Sequence, residues 1–334
     1  MVRYRPFVKS IACTSSIPEL LTPTAFLPLC RNRMTKKSRN WLIVLLLIPT
    51  VIVIAVVGLL VFQELQPLPP IRPLPQPNGY DGLVQAAGMI STESWDYEAF
   101  DEAQLREIVS ANAEALLLAR ASLSNECRVP AQFSTPYLEG HLSELAGLKR
   151  LAQVFMAEGK FAEKQRRFGN AARSYLDLIR LGNNSARGGI LIDGLVGLAI
   201  ENMGVAGLQK ITDRLDSKSC RETAATLETL DAQRQSWADI LQQEHAWSRR
   251  AFPGIKYRLG ELVMSSSLKK AQQKAGHKFW QQQRKTRQLL VNFAARAYEL
   301  GKGRRPANLN DLTPDYLKAI PQDPVSGTNL VLTP

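Results

Sequence analysis

WLIVLLLIPTVIVIAVVGLLVF, residues Trp41 to Phe62, contains no Asp, Glu, Lys, Arg or His. At about 1.5 Å of rise per residue this run can cross a hydrocarbon core roughly 30 Å thick. A soluble surface helix of that length would keep a polar face, and this stretch has none. It is expected to be a single transmembrane helix, with nearly all of the remaining chain on one side. Arg31, Arg33, Lys36, Lys37 and Arg39 precede it, whereas Gln63 and Glu64 follow. Basic flanks stay in the cytoplasm. The N-terminus is therefore expected inside a cell inner membrane and residues 63–334 outside it, in the periplasmic or extracytoplasmic space. The run is longer than the roughly 7–15 apolar residues of a cleavable signal, and no A-x-A site or lipobox cysteine follows. An uncleaved signal anchor is the better reading. Pro49 can kink the helix, which membrane helices tolerate.

Residues 1–40 read as a cytoplasmic, disordered tail. Its first 33 residues hold scattered Pro, Ser and Cys without a period, and MTKKSRN at 34–40 would itself be an ordinary start for a signal anchor. Translation from Met34 in place of Met1 is therefore an open alternative.

The net charge of +12 is unevenly spread. Residues 1–40 hold eight basic and one acidic residue, and 246–305 hold fifteen Lys/Arg against Glu261 and Glu299. What remains is net acidic. Such a run can be a long helix docking its basic face on the acidic part of its own domain. It can equally be a surface for anionic lipid or a cell-wall polymer. The candidate basic surface is Lys269, Lys270, Lys274, Lys278, Arg284, Lys285 and Arg287. No nucleic-acid-binding signature is present, and nucleic acid is not an expected partner.

Cys127 and Cys220 would lie outside the cytoplasm, where a disulfide between them is allowed. Two buried free thiols are the alternative, since sequence does not show the Cα separation that a bridge needs. The cysteines are not paired at metal spacing, and neither a metal site nor a cofactor is expected.

After the span, residues 63–78 form a linker with six prolines between Pro67 and Pro77, a stiff extended spacer. A domain over 79–285 then reads as helical throughout. Asp101 can cap a helix over 102–122, with Leu105, Ile108, Val109, Ala115, Leu116 and Ala119 inward and Asn112 interrupting the stripe. A helix over 136–166 turns Leu142, Leu145, Leu148, Leu151, Val154 and Phe155 inward. FGNAARSYLDLIRLG at 168–182 follows. Its Gly169, Ala172, Tyr175 and Leu176 resemble one tetratricopeptide unit, but there is no second copy at the 34-residue period that an array needs. A local helical hairpin is expected.

The glycine-rich stretch 187–212 reads as the buried central helix, with Asp193 its one awkward charge. A buried carboxylate needs a partner, and a nearby arginine is the expected one. Ser219 and Glu222 form a capping box for a helix to about Phe252, ended by Pro253 and Gly254. A helix over 268–301 carries most of the basic residues.

Residues 286–334 close the chain. From Asn292 the sequence reads NFAARAYELGKGRRPANLNDLTPDYLKAIPQDPVSGTNLVL. A helix ends at Gly301 and Gly303, Thr313 and Pro314 suggest a capped helical turn, and Asn329–Thr333 suggests a short strand. This segment resembles the C-terminal portion of type II secretion major pseudopilins, in which a helix is followed by a Pro-containing turn and a P-x-D-P element. The processing glycine and the glutamate that open a pseudopilin membrane helix are missing here, so a processed pilin subunit is not implied. The family's calcium region would offer Asp323, although a hard cation wants six or more oxygens. A turn-forming role for Asp323 is preferred. Through the anchor, the Pro-rich linker, Asn78-Gly-Tyr-Asp, the Ile-Asp-Gly-Leu-Val-Gly-Leu-Ala segment and the Arg-Pro and Pro-Gln-Asp-Pro ending, the whole chain resembles uncharacterised, membrane-anchored proteins of planctomycete-type bacteria, which implies no known activity.

Three histidines are present, His141, His245 and His277. No H-E-x-x-H, G-x-S-x-G or phosphate loop occurs. Glu244 and His245 are adjacent on a helix and point about 100° apart. Glu139 and His141 fit a helix start, and Glu201 with Glu244 is a carboxylate pair that nothing singles out. The fold class expected is mainly α: a single transmembrane helix plus an all-helical extracytoplasmic domain, ending in a turn-rich segment with a short strand. The function expected is a non-catalytic scaffold or interaction protein of the cell envelope, with envelope proteins, anionic lipid or wall polymer as partners. A cryptic hydrolase of envelope polymers is the alternative, and it would require a concave pocket with convergent titratable groups.

Overall fold

Helix α1, Lys36–Leu65, carries the apolar run with Pro49 inside it. The computed structural model describes residues 36–90, 99–130, 132 and 134–332. The expected tail before residue 36, with Cys13 and Cys30, lies outside these residues. Residues 36–40, assigned above to that tail, are already helical, since KKSRN holds no helix breaker. The chain divides into two units, Met1–Val57 and Gly58–Pro334.

The second unit is built of helices. These are α2 Gly79–Gly88, α3 Glu102–Ala111, α4 Ala113–Leu123, α5 Thr135–Lys164, α6 Phe168–Ala186, α7 Leu191–Ile211, α8 Ser217–Ala232, α9 Trp237–Ala251 and α10 Ile255–Lys302. Among the described residues there is no strand, only one antiparallel bridge between Gln322 and Asn329. The mainly-α class stands, and the expected strand over 329–333 reduces to that bridge as far as residue 332.

The core forms around α5, α6 and α7. Tyr175 of α6 is fully buried, and its ring fills the space beside Gly159 of α5 and Gly207 of α7, where a Cβ would collide with it. The α6 and α7 backbones come close enough that a Cβ on Gly182 would sit 2.5 Å from the Gly197 carbonyl, and one on Gly204 2.5 Å from the Tyr175 carbonyl. The glycines that lower helix propensity are therefore what lets these two helices pack. Leu145, Leu148, Leu151, Val154 and Phe155 point inward as their spacing predicts, but Leu142, about two turns from the start of α5, is exposed.

Two helices are long and apolar enough to cross a membrane, over Leu45–Phe62 and Leu191–Arg214. Only 6% of the first window is buried, against 50% of the second. The second is the central helix α7, whose Ile200, Val205, Leu208 and Ile211 lie in the core.

Several boundaries differ from expectation, each for a local reason. The helix over 102–122 breaks at Asn112, whose side chain turns back to donate to the Ile108 carbonyl at 2.8 Å. The box assigned to Ser219 and Glu222 is replaced by Asp216, whose carboxylate accepts from the Ser219 N–H at 2.7 Å and starts α8 earlier. The helix expected to run to Phe252 is two helices, because Ser236 caps a new one by accepting from the Asp239 N–H. Residues 313–316 form a turn and not a helix, with the Tyr316 and Leu317 N–H groups both bonded to the Leu312 carbonyl. Finally, α10 starts at Ile255 and not near 268. Gly254 at φ 111°, a conformation that glycine adopts freely, makes the turn from α9 into it.

Candidate interaction surface

Helix α10 divides its basic residues by type. The arginines point to partners within the second unit. Arg258 Nε is 2.7 Å from Glu64 Oε1, and its Nη1 2.5 Å from Glu261 Oε2. Arg287 Nε is 2.7 Å from Asp231 Oδ2, and its Nη1 donates to the Gln322 carbonyl at 2.6 Å. Arg284 Nε is 3.0 Å from Asp323 Oδ2. Asp323 also accepts from the Ser326 and Val325 N–H groups, and these bonds, with Arg284 beside them, hold its carboxyl below the ordinary range. Asp323 is thus a turn former tied to α10.

The lysines behave differently. Lys269, Lys270, Lys274, Lys278 and Lys285 are exposed, and among the described residues none of them is in an ion pair. At 100° per residue, Lys270, Lys274, Lys278 and Lys285 share one face. The docking of the basic run on its own domain therefore holds for the arginines and not for these lysines. Arginine, with its planar fork, closes onto carboxylates and carbonyls, and lysine remains at the surface.

A cleft of about 680 Å³ lies under the proline-rich segment, lined among others by Pro69, Arg128, Arg187, Asp239 and Trp247. The start of the linker is fastened here. Arg249 donates to the Glu64 and Gln66 carbonyls at 2.8 and 2.9 Å, and Arg250 to that of Pro69. The cleft's carboxylates are already engaged: Glu126 pairs with Arg128 at 3.1 Å and Asp239 accepts from the Ser236 hydroxyl at 2.7 Å.

A separate titratable cluster is closed inside the fold. His141 joins α5 to α7: its Nε2 is 2.6 Å from Asp193 Oδ1 and its Nδ1 3.1 Å from Glu144 Oε2, with the ring fully buried. Tyr137 stacks on it at 5.0 Å, and Tyr80 donates to Glu144 at 3.2 Å. Burial works against the imidazolium, but the bond and charge of Asp193, then those of Glu144, outweigh it and hold His141 above the ordinary histidine range. The partner of Asp193 is thus a histidine and not the expected arginine, and His141 is no helix cap. Asp193 also accepts from the Ile190 N–H at 2.7 Å, starting α7. With both ring nitrogens occupied and no exposed edge, His141 offers nothing to a substrate.

The two carboxylates considered as a pair are committed separately. Glu201 accepts from Arg234 at 2.6 Å and from Thr286 at 2.6 Å, while Glu244 accepts from the Leu191 N–H at 2.8 Å. Cys127 and Cys220 are both free and buried, the second of the two states their positions left open. Cys127 packs beside Ser122 and Asn125, and Cys220 beside Leu215. Burial pushes each thiol up to about 11. Among the described residues no group of three or more His, Cys, Asp or Glu is placed to hold a metal ion.

No protein-family model, no curated protein and no solved structure matches this chain.

Sequence reading missed the first turns of α10. Leu259, Leu262 and Val263, at i, i+3 and i+4, were the available signal.

Proposed function

We propose that the protein is a membrane-anchored, non-catalytic interaction protein of the cell envelope. Residues 41–62 hold it in the inner membrane, the helical domain stands on the extracytoplasmic side, and α10 presents its lysine face to a partner. The observation that carries this reading is the division along α10, where Arg258, Arg284 and Arg287 are each ion-paired while Lys269, Lys270, Lys274, Lys278 and Lys285 stay exposed without an ion pair among the described residues. A lysine-rich face suits an anionic partner: an acidic envelope protein, anionic lipid or wall polymer. The C-terminal segment, resembling a pseudopilin tail, lies against the same helix through Arg284 and Arg287.

The test is a photo-crosslinking residue at Lys278 in native membranes, compared with one at the exposed Glu114 of α4. A discrete crosslinked product at position 278, lost when Lys285 becomes Glu, supports the reading. The same pattern at both positions, or no product at either, contradicts it.

The cleft under the proline-rich segment is the observation that favours the alternative, a hydrolase of envelope polymers. Against it, Glu126 is already paired with Arg128 and Asp239 with the Ser236 hydroxyl. Replacing both by their amides is expected to leave the protein's cellular role unchanged.

A further inference from the structure

The first turns of α10 expose what a helix in water ordinarily hides. Tyr257, Leu259, Leu262, Val263, Met264 and Leu268 are all exposed, Val263 at 83%. Contiguous exposed apolar side chains mark a contact surface. Two features state which one.

The first is position. Arg258, buried between these residues, bonds to Glu64, which stands two residues beyond the end of the apolar run at Phe62. Glu261 in turn accepts from Ser248 of α9 at 3.0 Å, and Arg249 holds the Glu64 and Gln66 carbonyls. If residues 41–62 span the bilayer, Glu64 lies at its surface, and Leu259, Leu262 and Val263 lie within about one helical turn of the residue bound to it. The second is charge. Leu259, Val263, Lys270 and Lys274 fall within an arc of about 60° at 100° per residue, so that one face is apolar beside the anchor and cationic beyond it. Apolar side chains at the headgroup–acyl boundary, flanked by lysines whose stems lie along the surface, are the pattern of a helix resting on an anionic bilayer.

We propose that the start of α10, residues 256–274, is a second membrane contact, with Leu259, Leu262 and Val263 seated in the interface and Lys269, Lys270 and Lys274 on anionic headgroups. It rests on the membrane-anchor reading. The domain is then held to the bilayer at two places, and the lysines nearest the anchor bind lipid, which leaves Lys278 and Lys285 for other partners.

The test uses the full-length chain with Cys13 and Cys30 replaced by serine, Cys127 and Cys220 being buried. It is reconstituted in vesicles of phosphatidylcholine with or without phosphatidylglycerol. An environment-sensitive fluorophore is placed on Val263→Cys, on Leu117→Cys as an exposed control in α4, or on Ile54→Cys within the span. The expected result is a blue shift at Val263→Cys and quenching by spin-labelled lipid several-fold above that at Leu117→Cys. Both should fall when phosphatidylglycerol is omitted or when Lys269, Lys270 and Lys274 become Glu. Quenching at Ile54→Cys without quenching at Val263→Cys overturns the proposal and leaves the anchor standing. Quenching at neither overturns both. A blue shift without lipid quenching means that a second copy covers this face, and equal quenching in the absence of phosphatidylglycerol removes the lysines' part; either also overturns it.

Discussion

Arg258 Nε lies 2.7 Å from Glu64 Oε1, so the first turns of α10 are fastened to the last turn of α1. The two residues are 194 positions apart, and their side chains are 6% and 27% exposed. Removing one partner of a pair this sheltered leaves the other charge poorly compensated, which costs more than losing a surface ion pair. Arg258→Met, which keeps the stem and removes the charge, is expected to destabilise the second unit by about 1–3 kcal/mol and to speed proteolysis within residues 66–77. Glu64→Gln should cost less, since Arg258 keeps Glu261. Denaturant unfolding and limited proteolysis of the detergent-solubilised chain check both. A fully stable Arg258→Met chain would mean that the pair does not hold the two elements together.

The α6–α7 contact depends on missing Cβ atoms. Gly204→Ala places a methyl 2.5 Å from the Tyr175 carbonyl and 2.8 Å from Ile179 Cγ1. It should destabilise by about 1–3 kcal/mol through overpacking, although alanine is the better helix former. Gly140→Ala, on the exposed face of α5 with nothing within 4 Å, should instead stabilise by roughly 0.5–1 kcal/mol. Opposite signs for the same substitution, read from denaturation midpoints, are the expected outcome.

The His141 cluster predicts a pH dependence. Its folded value is raised, because Asp193 and Glu144 outweigh the effect of burial. The stabilisation is therefore complete below the ordinary histidine value of about 6.5 and is lost as the pH climbs through the raised folded value. Tyr80 and Tyr137 face the same ring and stay protonated, since burial raises both. Unfolding free energy should fall above neutral pH in the wild type and fall less in His141→Gln. Asp193→Ala, which strips both His141 and the Ile190 N–H of their acceptor, should cost about 3–5 kcal/mol.

The thiols should be silent. With Cys13 and Cys30 replaced by serine, Cys127 and Cys220 are expected to resist alkylation in the folded chain and to react only on unfolding, because they are buried and their thiolates disfavoured. A reductant should leave the unfolding midpoint unchanged. A shift would show that a bridge exists.

The parts of the fold readable from sequence were those set by local chemistry: the apolar run at 41–62, the Asp101 cap and the inward leucines of α5. What was not readable came from pairings across long separations. Asp193 is bonded to His141 across 52 residues, and no neighbour of either announces it. The break at Asn112 was a side-chain bond competing with the helix, visible in sequence only as an interruption. The lysine residues of α10 were evident as a surface, whereas the roles of Arg284 and Arg287 depended on where the C-terminal turn folds back. The exposed apolar turns at 257–268 escaped because Pro253 and Gly254 end one helix and the next was expected only from 268, whereas it resumes at once.

Sidedness is the direct test of the account. In cells whose outer barrier has been opened but whose inner membrane is sealed, a membrane-impermeant maleimide meets only residues outside the cytoplasm. The buried Cys127 and Cys220 stay unlabelled, and Cys13 and Cys30 are predicted to lie on the far side. The account predicts that Lys302→Cys, exposed in the last turn of α10, is labelled at once in such cells and co-sediments with the membrane after carbonate extraction. Labelling only after lysis, or release of the chain by carbonate, would contradict it.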